Sequence, residues 1–237
     1  MKKEILIFRH FPTEGPGHLA RFLDSQRIPH RTILIDEDEP VPESIAGIPG
    51  LVFMGGPMSV NDPLPWIPKA LQLIRQAVAA DVPVLGHCLG GQLLSKALGG
   101  RVRRNREKEF GWLPVARVDS PETEKWLAGL PPRFEVFHWH GETFSIPPGA
   151  THILRSRLCR NQAFVIGKSL GLQCHIEMTP ELIRTWAHDG AAEIARSLPD
   201  PGVQLPAQML IRLPQRAARL NHIAEVLYTR WIQGLKY

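Results

Sequence analysis

Gly86-His87-Cys88-Leu89-Gly90-Gly91-Gln92 places a cysteine where it can do chemistry. The stretch follows the apolar run Val82-Pro83-Val84-Leu85 and opens a helical pattern over 89–98. A strand that turns sharply into a helix lifts one side chain out of the sheet's carboxyl edge, and neighbouring glycines relieve the turn. Here that side chain is Cys88, and the start of a helix favours thiolate over thiol. A sulfur nucleophile needs a base, distant in sequence and near in space. His175 offers one at the end of the strand-like run Ser169 to Cys174, ahead of a helix expected from Pro180. Glu177, two residues on, can accept a hydrogen bond from the far imidazole nitrogen and fix its tautomer. The three side chains would form a relay: the carboxylate orients the base and the base activates the sulfur.

Taken singly, these residues say little. A cysteine near a strand end is usually a small buried hydrophobe, the reading for Cys159 and Cys174, and His-x-Glu is common by chance. The joint pattern, set at the ends of two expected strands, carries the inference. Gly86-x-Cys88-x-Gly90-x-Gln92 followed by Gln173-x-His175-x-Glu177 resembles the class I (Cys-His-Glu triad) glutamine amidotransferase family. Met54-Gly55-Gly56-Pro57 resembles that family's oxyanion loop. Glu109-Phe110-Gly111-Trp112 and His138-Trp139-His140-Gly141-Glu142 resemble stretches of its stand-alone members and of the GMP synthase glutaminase domain. Two positions depart from the pattern: Ile176 stands where proline is frequent, and Cys174 where an aromatic is common.

The resemblance implies that Cys88 attacks the side-chain amide of glutamine, or of a γ-glutamyl relative, with His175 and Glu177 completing the triad. The backbone N–H groups of Gly56 and Leu89 would face the oxyanion, a donor type whose loss typically costs ~10²–10³ in rate. Gln92, Gly55, Met58, His140 and Gly141 would bind substrate, with Glu142 beside them. The bland alternatives are a helix-surface role for Gln92 and two same-face strand residues for His138 and His140. No metal ligands of suitable spacing and no cofactor need are identified. Gly167-Lys168-Ser169 is not a phosphate loop, because the first glycine it requires would fall at Gln162.

Three functions stay open at this point. The first is a glutaminase that supplies ammonia to a separate synthetase subunit, in the manner of GMP synthase, or simply hydrolyses glutamine. No ATP-binding loop is found in the chain itself. The second is a stand-alone hydrolase of γ-glutamyl peptides or amides. The third is a non-catalytic redox sensor or binding protein, against which the intact His175 and Glu177 argue, since a sensor needs no proton relay.

These residues need a scaffold, and the pattern supplies one. Strands are expected at 4–8, 31–35, 50–54 and 83–86, with helices at 17–25 and 67–80. This alternation predicts an α/β fold: a flavodoxin-like, doubly wound, mostly parallel sheet with helices on both faces. Beyond Arg101, short alternating runs at 115–118, 135–139, 153–155 and 163–166 predict a few added antiparallel strands or a small flap. Ala217, Leu220, Ile223, Leu227 and Trp231 recur at helical spacing, predicting a final helix over 214–231 packed on its own domain. Residues 1–237 read as a single domain.

Composition agrees with a globular protein of 237 residues, 43% hydrophobic and 22% charged. Three cysteines, an odd number, argue against a disulfide framework and for a reducing compartment. The apolar run after Met1 stops at Arg9, too soon for a signal peptide, and no apolar stretch is long enough to span a bilayer. A cytoplasmic protein without membrane or nucleic-acid partners is expected. The net charge of +5 owes something to Arg101, Arg103, Arg104 and Arg106, which read as a solvated edge strand.

Overall fold

The computed structural model describes residues 3–237. Its first half is the expected alternation. Strand β1 (Ile5–Arg9) leads to α1 (Gly17–Ser25) and β2 (His30–Leu34). Then follow β3 (Leu51–Phe53), α2 (Trp66–Ala79), β4 (Val84–His87) and α3 (Leu89–Ala97). The second half adds β5 (Val102–Arg117), α4 (Pro121–Trp126), β6 (Arg133–Phe144), β7 (Thr151–Ser156), β8 (Ala163–Ile166) and β9 (Ser169–Leu172). It closes with α5 (Pro180–Asp189), α6 (Ala191–Ser197), β10 (Gly202–Val203), α7 (Pro206–Leu210) and α8 (Leu213–Ile232).

The sheet runs in the order β10-β5-β7-β8-β9-β4-β3-β1-β2, with β6 paired to β5 off that path. From β9 to β2 every pairing is parallel, the flavodoxin-like order. Parallel strands are covered on both faces, so they are apolar on both. In β1, Ile5 and Ile7 enter the core beneath α1 and α8, while Leu6 and Phe8 enter the core beneath α2 and α3. The five stripe residues of α8 are all buried. At roughly 1.5–3 kcal/mol for a large apolar side chain, that burial holds the helix on its own sheet.

The antiparallel half extends the sheet rather than forming a flap. Two expected short strands are parts of one long hairpin, β5 with β6, bulged between Arg104 and Glu109. Polar and charged residues over 103–108, a kink at Gly111 (φ +104°) and Pro114 hide that length in the sequence. Of the four arginines, Arg103 and Arg104 pair with β6 at the outer end of β5, Arg106 lies in the bulge and Arg101 just before the strand, all with exposed side chains. Helices α4, α6 and α7 are too short to show a helical period and were not foreseen. Among the described residues no helix is long and apolar enough to cross a membrane.

Candidate active site

Strands β1, β3, β4 and β9 point their carboxyl ends to one edge, and the residues singled out above gather there. At the end of β4 the chain turns abruptly: Cys88 has φ +49° and ψ −106°, a strained conformation for a residue with a side chain. Its N–H donates to Leu172 O at 2.8 Å, pinning the turn to β9. The turn closes only because glycine stands on either side. A Cβ on Gly86 would lie 2.3 Å from the Gly90 carbonyl carbon, and one on Gly90 would lie 2.0 Å from Phe53 O. The Cys88 sulfur comes out at the floor of a cleft of about 340 Å³. It receives the Gln173 Nε2–H at 3.6 Å and lies 3.8 Å from Trp139 O.

His175 reaches the same cleft from the loop after β9. Its N–H donates to Phe137 O at 2.8 Å, and the Glu177 carbonyl accepts from His18 N–H at 2.8 Å. Asn221 of α8 donates to Met178 O at 2.9 Å. These three straps hold the segment without the proline that Ile176 replaces. Ile176 and Cys174 both fill the core. The ring edge packs against Trp186 at 4.8 Å between centroids, and Trp186 is anchored by donating to Thr13 O at 2.8 Å.

Glu177 Oε1 lies 2.6 Å from His175 Nδ1, so Nδ1 carries the hydrogen and Nε2 is left toward Cys88. Burial disfavours the imidazolium. The Glu177 charge and the neighbouring Cys88 outweigh it and hold His175 well above the ordinary histidine range. Burial likewise opposes the Glu177 carboxylate, but the facing His87 and His175 bring it down to about 2. The other two thiols are unlike Cys88 in setting. Burial pushes Cys159 up to about 11 and Cys174 higher still.

The Gly55–Gly56 loop follows β3. His10 Nδ1 lies 3.1 Å from Met54 O and 3.2 Å from Gly55 O, and burial keeps this ring neutral, lowered to about 4. A trans peptide sets its N–H opposite its C=O. Anchoring the Gly55 carbonyl on His10 therefore turns the Gly56 N–H the other way. Gly56 lines the cleft, and a Cβ on it would meet Leu89 Cδ2 at 2.8 Å, so the two expected donors are neighbours. Leu89 is the first residue of α3, where the helix's own ladder leaves the N–H free.

The remaining expected residues divide. Met58, Gln92, His140, Gly141 and Glu142 line the cleft. Gln92 is no surface residue: it is buried and donates to Gln173 Oε1 at 3.3 Å, tying it to the group that touches the sulfur. Gly55 lies beneath the Glu14 carboxylate rather than at the cleft surface, for a Cβ there would sit 2.1 Å from Glu14 Oε2. His138 and His140 are indeed same-face neighbours on β6, turned toward buried Glu109. Glu109, His140 and Cys159 present ligand-type atoms within 4.8 Å of one another. The Glu109 carboxylate is already engaged by His140 at 3.0 Å, Ser156 at 2.7 Å and Gln162 at 2.6 Å, a buried hydrogen-bond network.

That network makes a prediction about acid stability. Burial works against the Glu109 carboxylate, yet its partners hold it at about 2. An unfolded glutamate titrates near ~4.3. A carboxyl lowered on folding contributes stability above the unfolded value and loses it as pH falls through the folded one. Urea midpoints should therefore fall steeply between about pH 4.5 and about pH 2, with Glu177 contributing in the same window. Glu109→Gln should be less stable at pH 6 and show a shallower acid slope. An unchanged slope in that variant would count against the network.

Several cleft residues escaped the sequence reading. Glu14, in the loop after β1, hangs over Gly55. Burial, with Glu177 and Glu193 nearby, raises it to about 7 against the opposing His175. Its position past a strand end was the one signal available. Trp139 and Trp186 wall the His175 side, and Trp139 Nε1 donates to Glu193 at 3.0 Å. Glu14, Glu142, Asp189 and Glu193 line the cleft, and no lysine or arginine is among the lining residues.

Residues 21–186 match the family profile "Glutamine amidotransferase class-I". The crystal structure of a glutamine amidotransferase from Methylobacillus flagellatus superposes with TM-score 0.96 at 46% identity, covering 99% of this chain and 96% of that one. The glutamine amidotransferase-like protein YfeJ of Salmonella typhimurium is 32% identical over 151 residues, 61% of this chain and 63% of YfeJ. The glutamine-hydrolysing GMP synthase of Thermomicrobium roseum is 39% identical over 131 residues, 54% of this chain but only 23% of that synthase.

Proposed function

The chain belongs to the class-I glutamine amidotransferase family, and from that premise we propose that it hydrolyses the side-chain amide of glutamine through a cysteinyl thioester. The observation that carries this reading is the His175 ring, hydrogen-bonded to Glu177 and lining one cleft with Cys88. The Cys88 sulfur attacks the amide carbon, and the carbonyl becomes an oxyanion facing the Gly56 and Leu89 N–H groups. His175 takes the thiol proton and delivers it to the leaving nitrogen, so the C–N bond breaks and ammonia departs. Water, deprotonated by His175, then attacks the thioester; the C–S bond breaks and glutamate leaves. His10 serves this scheme by holding the loop that offers the Gly56 donor.

Ammonia delivery to a separate synthetase is the natural extension, because the T. roseum relative is a synthase of which this chain matches about a quarter. A second reading, hydrolysis of larger γ-glutamyl amides, has its own observation. The cleft, of about 340 Å³, is lined beyond Cys88 and His175 by Trp139, Trp186, Asp189, Gly190 and Glu193, which leaves room for a leaving group larger than ammonia. Purified chain should release ammonia from glutamine, and a glutamine-like chloroketone should label Cys88 alone by mass spectrometry. Comparing kcat/KM for glutamine and a γ-glutamyl dipeptide separates the two readings. Neither turnover nor labelling would sink both.

A further inference from the structure

His87 immediately precedes the candidate nucleophile, and the scheme above gives it no task. The turn at Cys88 sends the sulfur into the cleft, while the fully buried His87 ring lies beneath α8. Its Nε2 is 3.1 Å from Tyr228 Oη and 3.7 Å from Glu177 Oε2. Glu177 uses its inner oxygen, Oε1, on His175. The outer oxygen is buried and, among the described residues, has no hydrogen-bond partner. A buried carboxylate oxygen left unmet is costly, so the nearest polar group matters.

The ring's own chemistry selects one arrangement. Burial lowers His87 below the ordinary histidine range, so the ring is neutral with a single N–H. Its Nδ1 is buried without a partner. Hydrogen on Nδ1 would strand a donor there and turn the Nε2 lone pair on the Glu177 charge. Hydrogen on Nε2 is donated to Tyr228 Oη at 3.1 Å and keeps the positive edge of the ring toward Glu177 Oε2 at 3.7 Å. At 3.7 Å this is not a hydrogen bond but an N–H dipole facing a charge. The other titratable groups facing Glu177 are His175 on its own loop, Tyr228 on α8, the Cys174 thiol, and Glu14 from the loop after β1.

We propose that His87 is a positioning residue: its Nε2–H faces the outer oxygen of Glu177, holding that carboxylate ionised and its inner oxygen on His175. The proposal rests on the triad reading above, and two of its tests need no substrate. His87→Leu should lower kcat about tenfold with KM within about twofold, since only the relay is touched. The acidic limb of Cys88 alkylation by iodoacetamide should move up by about half a pH unit relative to the native chain, about threefold slower along that limb, because a weakened Glu177 charge stabilises the imidazolium less. His87→Gln, which keeps an N–H at similar reach, should recover most of both effects. Nitrogen-15 NMR of the full chain should show the Nε2–H tautomer of His87 from pH 6 to 8.

A neutral Nδ1–H ring or a charged one would overturn the proposal. So would native kcat and an unmoved limb in His87→Leu. Equal loss in the Leu and Gln variants with no limb shift would reduce His87 to a space filler and also defeat it. If His87→Leu does not fold, the Gln variant and the tautomer decide. A chain with the expected tautomer and limb shift that turns over no γ-glutamyl amide would support this proposal while ending the hydrolase reading.

Discussion

Cys88→Ala protein should release ammonia from glutamine at least ~10⁴-fold more slowly than the native chain, while folding normally. The size follows from the scheme: without sulfur there is no thioester, and a single lost member of a nucleophile–base unit costs nearly as much as losing all of it. What survives is whatever binding and the Gly56 and Leu89 donors provide for direct attack by water. Folding should be spared because Cys88 lies at the cleft floor and alanine fills the same backbone position, which is held by the Cys88 N–H bond to Leu172 rather than by the sulfur. Steady-state ammonia release, with mass spectrometry for a glutamyl adduct of 88, measures this directly. A variant within tenfold of native would remove Cys88 from the chemistry.

Gly90→Ala should cost more than about 3 kcal/mol of stability, above the usual range for overpacking, because the new methyl meets backbone rather than a movable side chain. The ideal Cβ lies 2.0 Å from Phe53 O and 2.6 Å from its carbonyl carbon. Neither partner can yield easily: β3 is hydrogen-bonded between β1 and β4, and α3 is fixed to Cys88 by the elbow. Relief means lifting the helix start, which also carries the Leu89 N–H, so kcat should fall by about 10² in any fraction that folds. For a chain of this size a loss above 3 kcal/mol lowers Tm by roughly 10 °C. Gly15→Ala, where nothing lies within 4 Å, is the control and should leave Tm nearly unchanged. Equal Tm values for the two variants would show that the elbow is not as tightly closed as described.

The chain order of residues was enough to read a doubly wound sheet and to nominate Cys88, His175 and Glu177. Both depend on local rules. Apolar strands and amphipathic helices alternate with visible periods, and a glycine-flanked cysteine at a strand–helix junction has few other uses. The same rules missed the 16-residue length of β5, whose charges and bulge break the alternation, and helices of five to seven residues, which have no period to show.

Only the tertiary structure decided who surrounds the three nominated residues. Glu14 over Gly55, His10 behind the Gly55–Gly56 loop and Tyr228 beneath His87 come from segments 41 to 141 residues away from what they touch. No spacing rule connects them, because they are brought together by strands whose order in the sheet differs from their order in the chain. Burial, which sets Glu14 up to about 7 and Glu177 down to about 2 from the same carboxylic acid, is likewise a property of the packed molecule. Sequence thus nominated three candidate side chains, and packing supplied the electrostatic surroundings in which they sit.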